Sequence, residues 1–206
     1  MAPRAPVFDR SVTVRTPRLT LRALREDDRE RFVAVHARSW PTHLGPWSPR
    51  LESDDFEAFF EQCLARSDDG FTAGSACRLV GFDDGGAMVG GFNLNNVARG
   101  VFQNADAGWW VSVDHAGRGF ATEGVRALLG VAFAPLARDG FIDGVTAGAG
   151  LHRVQCGIIP TNAPSLAVAA KAGFRREGLA LRYLKIDGRW QDHVIFARTL
   201  EDLSET

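Results

Sequence analysis

Apolar and polar positions alternate with period two in "RLTLRAL" (residues 18–24), which predicts a first strand. "REDDRERFVAVHARSW" (25–40) follows with acids in a first turn and Phe32, Ala34 and Val35 on one face, the pattern of a helix. In "ESDDFEAFFEQCLARS" (52–67), Phe56, Phe59, Phe60, Cys63 and Leu64 make a continuous stripe, predicting a second helix packed on the core. Three segments of strand character come next, "SACRLVGF", "AMVGGFNLNNV" and "DAGWWVSV", the first two joined by the turn "DDGG". Val125, Leu128, Leu129, Ala132, Phe133 and Leu136 then recur at helical spacing and predict a helix over about 122–137. "HRVQCGII" reads as a strand, and "PTNAPSLAVAAKAGF" as a short helix capped by Asn162 and stopped at Gly173. "RYLKI", the turn "DG" and "HVIFARTL" close the pattern as a hairpin. Early helices followed by a mostly antiparallel sheet with two more helices make an α+β (mixed α/β) domain.

Composition narrows the class. The chain has 206 residues, enough to bury one sizeable core, so a single domain over 1–206 is expected. A formal charge of −1 argues against broad capture of nucleic acid; an anionic partner has to be held locally. Cys63, Cys77 and Cys156 are odd in number and lack metal-ligand spacing, which fits free thiols in a reducing cytoplasm and no bound metal. The first residues lack the apolar core of a signal peptide, and no run reaches membrane-spanning length, so a cytoplasmic protein with no membrane contact is expected. Nothing in the pattern chooses between a monomer and a homodimer. The glycine-rich stretch from Arg138 to Gly150 carries no clear periodicity.

Chemistry concentrates in "HAGRGFATEG" (115–124), where a strand hands over to a helix and the backbone is nearly bare. Glycine costs backbone entropy and packs nothing, so such a stretch serves a tight turn or the close approach of a ligand. A P-loop requires a lysine and a hydroxyl after its last glycine, but Gly119 is followed by Phe120 and Ala121. A dinucleotide fingerprint fails at its third position, Thr122, and its flanking parallel units are missing. What survives beside a plain turn is an anion held by backbone N–H groups at a helix N-terminus, with Arg118 adding charge.

"RLTLRAL", "NLNNVARG", "GWWVSV", "GRGFATEGVRALLGVAF", "LHRVQCGIIPTNAPS", "AGFRREG" and "DGRWQDHVIFA" lie in order from about Arg18 to Leu200. In these pieces and their spacing the chain resembles the GNAT superfamily of acyl-CoA-dependent N-acyltransferases, in its RimJ/RimL-like branch of ribosomal-protein-alanine N-acetyltransferases. The resemblance implies a mostly antiparallel central sheet splayed into a V, flanked by about four helices, with acetyl-CoA in the split. By position it implies that Val111 and Val113 pair their backbone with the pantetheine arm, and that Arg118, Gly119, Phe120, Ala121 and Thr122 wrap the diphosphate. Asn162 and Ser165 match a pair beside the pantetheine and thioester. Two departures stand out: Ala116 replaces a glutamine or arginine common in the superfamily, and Ala169 stands where many members carry a tyrosine acid. A glutamate used as base in some relatives falls at Leu184.

The implied reaction is direct attack of a neutral primary amine on the acetyl carbonyl, with Ser165 protonating the departing thiolate. Asp106 is the best-placed carboxylate for a general base acting through water, with His152 and His193 as alternatives. Asn93, Asn95, Asn96 and Arg99 are expected to hold the acceptor, a protein or peptide α-amine. A small-molecule amine (aminoglycoside, polyamine or amino acid) remains an alternative acceptor. A non-catalytic acyl-CoA-binding module is the alternative outside catalysis.

Overall fold

The computed structural model describes residues 10–49, 51, 55–134 and 148–203. Its strands are β1 (Thr13–Arg15), β2 (Thr20–Ala23), β3 (Cys77–Phe82), β4 (Met88–Ala98), β5 (Asn104–Val111), β6 (Arg153–Ile158), β7 (Arg175–Ile186) and β8 (Arg189–Thr199). They form one sheet in the order β1-β2-β3-β4-β5-β6-β8-β7. Every neighbouring pair is antiparallel except β5 and β6. The helices are α1 (Arg29–Ser39), α2 (Phe56–Ala73), α3 (Phe120–Phe133) and α4 (Ala163–Lys171). The mixed α+β class, the strands and the four helices read from the pattern are all present.

The one parallel pairing shapes the molecule. β5 and β6 share register only at Asn104–Arg153, Ala105–Val154 and Asp106–Gln155. Past Asp106, β5 stays on β4 as far as Val111, while β6 stays on β8 as far as Ile158. The sheet therefore opens into a V whose inner edges are the ends of these two strands. Backbone groups that a continuous sheet would pair are left facing the split.

Local chemistry fixes the helices. Asp28 is fully buried ahead of α1; the Arg22 guanidinium donates to both its oxygens at 2.7 Å, and the Arg25 N–H donates at 2.9 Å. Phe32, Val35, His36 and Ser39 form the buried face of α1, whereas Ala34 faces solvent. The expected face is thus rotated by one residue, because spacings of three and four from Phe32 select Val35 and His36. Asp55 caps α2 by accepting from the N–H groups of Glu57 and Ala58, and Gly74 ends the helix at φ +65°. On α3, Val125, Leu128, Leu129, Ala132 and Phe133 are buried as the spacing predicts. The helix begins at Phe120, and its expected end, with Leu136 and most of the glycine-rich stretch, lies outside the described residues. Asn162 caps α4, accepting from the Ser165 N–H at 3.2 Å.

Close approach seats α3 on the sheet. A Cβ on Gly124 would overlap Cε1 and Cζ of Phe92 and stand 2.7 Å from its Cδ1, so the helix lies flat on the β4 ring only with glycine there. Among the described residues no helix is long and apolar enough to cross a membrane.

Candidate active site

A cleft of about 490 Å³ fills the split. Its walls come from the end of β5 (Ala107 to Val111), the 115–122 segment, β6 from Cys156 onward, and α4 through Asn162, Ser165 and Val168. At its base the chain turns from β5 into α3 through Gly117 (φ +72°) and Gly119 (φ +85°). Gly119 is the N-cap, and the first helical acceptor, its carbonyl, is taken by the Glu123 N–H at 3.1 Å. The N–H groups of Phe120, Ala121 and Thr122 precede that bond and point out of the helix end, as in an anion cradle. A Cβ on Gly117 would meet open space, so this side of the cradle is clear for a ligand.

The cradle is anchored from two sides. Arg18, in the β1–β2 turn, donates to Glu123 through Nε at 2.7 Å and to the Arg118 carbonyl at 3.0 Å. Its guanidinium lies 4.4 Å from the Phe120 ring centroid. Burial alone would raise the Glu123 carboxyl, but hydrogen bonds from Thr16 and Arg18 hold it below the usual range. On the other side, His115 links to the Ser112 hydroxyl through Nδ1 at 2.8 Å and to Asp83 through Nε2 at 3.3 Å. A hydrolytic triad would place its serine on Nε2 and expose it; Ser112 is on Nδ1 and fully buried, so this chain of bonds supports the loop.

The remaining expected residues divide between bringing groups to the cleft and stiffening it. The Ser112 N–H donates to Val89 on β4, so the Val111 backbone one residue earlier faces the split. Its carbonyl already accepts from His43 Nε2 at 3.1 Å, leaving the N–H for a ligand. Val113 departs from expectation. The strand stops at Val111, Val113 sits in a 3₁₀ turn (Val113–His115), and its N–H donates to the Ser39 hydroxyl at 3.1 Å. Phe120 is buried and can offer a ligand only its backbone. Ala116, Leu184 and His193 also line the cleft. His152 does not; it pairs with Glu201 at 3.1 Å on the surface.

Across the sheet lies a second cavity of about 560 Å³, between α1, α2 and the strands β3 to β5. Gly91, Asn93 and Asn95 on β4 and Trp110 on β5 form its floor; His36, Trp40 and Phe59 form an aromatic wall. The stripe on α2 is therefore only half core: Phe60 is buried, but Phe59 and Cys63 face this space. The residues 44, 48 and 110 (Leu, Ser and Trp) line both cavities, so the two meet beside the end of β5. Burial pushes the His36 imidazole down to about 4, against the opposing effect of its Nδ1–H bond to the Phe32 carbonyl at 2.8 Å.

Two expected acceptor contacts are placed elsewhere. Asn96, at φ +51°, donates to Asp106 Oδ2 at 2.7 Å. Arg99 reaches the Ala149 carbonyl at 2.6 Å and ties the segment before β6 to the sheet. Asp106 itself pairs with Asn95 across β4 and β5 and so shares the face of Asn93 and Asn95. The Gln155 side chain donates to its other oxygen at 2.8 Å, so amides hold both oxygens of this carboxylate.

A splayed sheet with an anion cradle at its base, and cavities on both faces meeting at one strand end, defines a coenzyme-dependent acyltransferase. A family model, Acetyltransferase (GNAT) domain, matches residues 18–175, and the chain belongs to that family. It is an N-acetyltransferase. It is 31% identical over 193 residues to the [ribosomal protein uS5]-alanine N-acetyltransferase of Escherichia coli (strain K12), covering 93% of this chain and 92% of that one. It is 29% identical over 164 residues to the probable N-acetyltransferase YjcK of Bacillus subtilis (strain 168), covering 71% and 83%. Among solved structures, Mycobacterium smegmatis RimJ in complex with CoA-disulfide superposes with a TM-score of 0.77 at 30% identity, covering 90% of this chain and 83% of that one.

Proposed function

We propose that this enzyme acetylates the N-terminal α-amine of a protein or peptide, with acetyl-CoA in the split and the acceptor in the cavity across the sheet. The observation that carries this reading is the meeting of the two cavities at Trp110, beside the Val111 N–H. The acceptor floor is built of amides, Asn93 and Asn95, suited to peptide groups, and its two arginines, Arg66 and Arg78, disfavour a polycation. The similarity to an enzyme that acts on a ribosomal protein's N-terminal alanine points the same way. A protein acceptor of that kind places the enzyme in the cytoplasm.

In this reading the N–H groups of Phe120, Ala121 and Thr122, with Arg118, bind the diphosphate. The Val111 N–H polarises the acetyl carbonyl oxygen. The acceptor nitrogen bonds to the carbonyl carbon, the carbon–sulfur bond breaks, and the Ser165 hydroxyl gives its proton to the leaving sulfur. Asp106 stands five residues back along β5 from Val111, about 16 Å away, and lines neither cavity; Asn96 and Gln155 hold both its oxygens. The amine therefore gives its proton to water, not to the expected carboxylate. An α-amine suits so modest a base. Its pKa of about 7.7–8.0 leaves a useful neutral fraction near neutrality, whereas lysine at about 10.4 is almost wholly charged.

Peptides starting with Ala or Ser, assayed for thiol release beside copies with a blocked α-amine and a free lysine, test the reading. Acetylation confined to the free α-amine is the expected result. Turnover of the blocked copies, or of aminoglycosides or polyamines alone, overturns it.

A further inference from the structure

The far end of the acceptor cavity carries charge that the acetyl transfer does not use. Arg66 projects from α2 and Arg78 from β3, and both line the space next to Asn93 and Asn95. Arg78 stands opposite Asn93 in the β3–β4 register, half-buried beneath α2, with its Nη1 donating to the Arg66 carbonyl at 2.5 Å. Among the described residues no carboxylate pairs with either guanidinium. The acid in the described lining, Asp55, stands eleven residues back along α2, about 16 Å from Arg66, and caps its own helix. Cys63 supplies no counter-charge either, since burial pushes its thiol up to about 11. Burial, and then the neighbouring Arg66, lower Arg78 from its usual range, the mark of crowded cations without an anion.

A half-buried guanidinium with no counter-charge among the described residues is costly to keep, and an incoming carboxylate relieves that cost through charge-assisted hydrogen bonds. We propose that Arg66 and Arg78 form a carboxylate-binding subsite, and that the preferred acceptor bears an acidic group one or two residues after its reactive amine. This rests on the acceptor reading above.

Register sets the spacing. Trp110 pairs with Gly91, and Gly91 with Val80, so Arg78 lies two strands over and two residues along from Trp110. That is about 12 Å between backbones, from a strand spacing of about 4.8 Å and a rise of about 3.3 Å. An extended acceptor covers about 3.5 Å per residue, and the two facing side chains bridge what remains. The same chemistry is offered by a glutamate or aspartate side chain in a protein N-terminus and by the terminal carboxylate of a free dipeptide.

The test is calorimetric titration of the CoA-loaded enzyme with Ala-Glu-Glu-Ala amide, Ala-Gln-Gln-Ala amide and the free dipeptide Ala-Gln, with turnover measured on the same three. The acidic tetrapeptide is expected to bind about tenfold or more tighter than its amide twin. Arg78→Gln and Arg66→Gln should each cut that preference to within about threefold while leaving acetyl-CoA affinity unchanged. Arg66→Gln, at an exposed position of α2, keeps the test open if Arg78→Gln disturbs packing. Equal binding of the two tetrapeptides, or a preference that survives both substitutions, overturns the subsite even where both peptides are acetylated and the acceptor reading stands. Arginine-dependent binding confined to the free dipeptide sustains the subsite and overturns the protein-acceptor reading. Binding of none of the three overturns the subsite.

Discussion

Replacing Gly124 by alanine sets two effects of opposite sign against each other. In the second turn of α3, alanine should favour the helix by about 0.8–1.0 kcal/mol over glycine. The added Cβ, however, would overlap two atoms of the Phe92 ring and stand 2.7 Å from a third, where carbon atoms prefer about 3.5–4.0 Å. The ring is fully buried in a close-packed core, so a shift large enough to clear the overlap displaces its neighbours or the helix. Overpacking of this kind costs about 1–3 kcal/mol, and here it falls at the severe end, so a net loss of about 1–2 kcal/mol is expected. The helix must lift to relieve the clash, and with it the N–H groups at its start, so acetyl-CoA affinity should fall together with stability. Urea denaturation and calorimetric titration of acetyl-CoA measure the two. Phe92→Leu introduced beside Gly124→Ala should recover part of both losses, giving a favourable coupling of about 1 kcal/mol or more. A Gly124→Ala enzyme that is more stable than wild type, with unchanged coenzyme affinity, would refute the reasoning.

Ser165→Ala should lower kcat by about 10²-fold while the KM for acetyl-CoA changes less, as steady-state kinetics would show; an effect on KM alone makes Ser165 a binding residue. Ala116→Arg, at an exposed position lining the cleft, should tighten acetyl-CoA several-fold by adding a charged donor near the cradle, measured by titration. His36 takes up its proton near 6.5 when unfolded but only at about 4 when folded. The unfolded state therefore binds more protons in that window, and stability falls as pH drops through it, by at most about 3 kcal/mol. Denaturation curves between pH 7 and 4 should show this slope in the wild type and a flatter one in His36→Phe.

Features written in consecutive residues were legible in the sequence. The turn Asp187–Gly188, both with positive φ, the cap at Asn162 and the bare backbone at 117–119 need only local chemistry. The short β1 leaves no mark in the pattern because three residues carry no periodicity; it exists through pairing with β2 across the Thr16–Leu19 turn. The burial of His36 on α1 is hidden in the sequence because a polar side chain does not mark a buried position, although its spacing from Phe32 is helical. Non-local geometry was out of reach. The aromatic stripe of α2 reads as core from its own sequence, and only the placement of β3 to β5 beneath it reveals a cavity. Asn96 and Arg99 share a polar stretch with Asn93 and Asn95, yet the positive φ at Asn96 and the reach of Arg99 to Ala149 take them out of the cavity lining.

The short run "GWWV" at the end of β5 explains how two substrates can meet without a covalent enzyme intermediate. Along a strand, side chains alternate faces while backbone groups alternate edges. Trp109 accordingly packs toward the α3 face and the cleft, and Trp110 toward α1 and the second cavity. Val111 is the last residue of the strand, with its N–H on the edge where the sheet splits. A Cβ on Gly91 would collide with Trp110 Nε1 and come within 2.9 Å of its Cε2, so this glycine lets the indole lie flat against β4 and form the floor of the second cavity. The His36 ring lies over the indole with centroids 4.5 Å apart and planes tilted by 59°, a contact that holds it from above. One strand end thus presents a different face to each proposed substrate and its backbone to the reacting carbonyl. Gly91→Ala tilts the indole without touching the cradle. It should therefore raise the KM for the acceptor peptide while leaving acetyl-CoA affinity within about twofold of wild type. An equal loss for both substrates would mean that Trp110 does not divide the two sites.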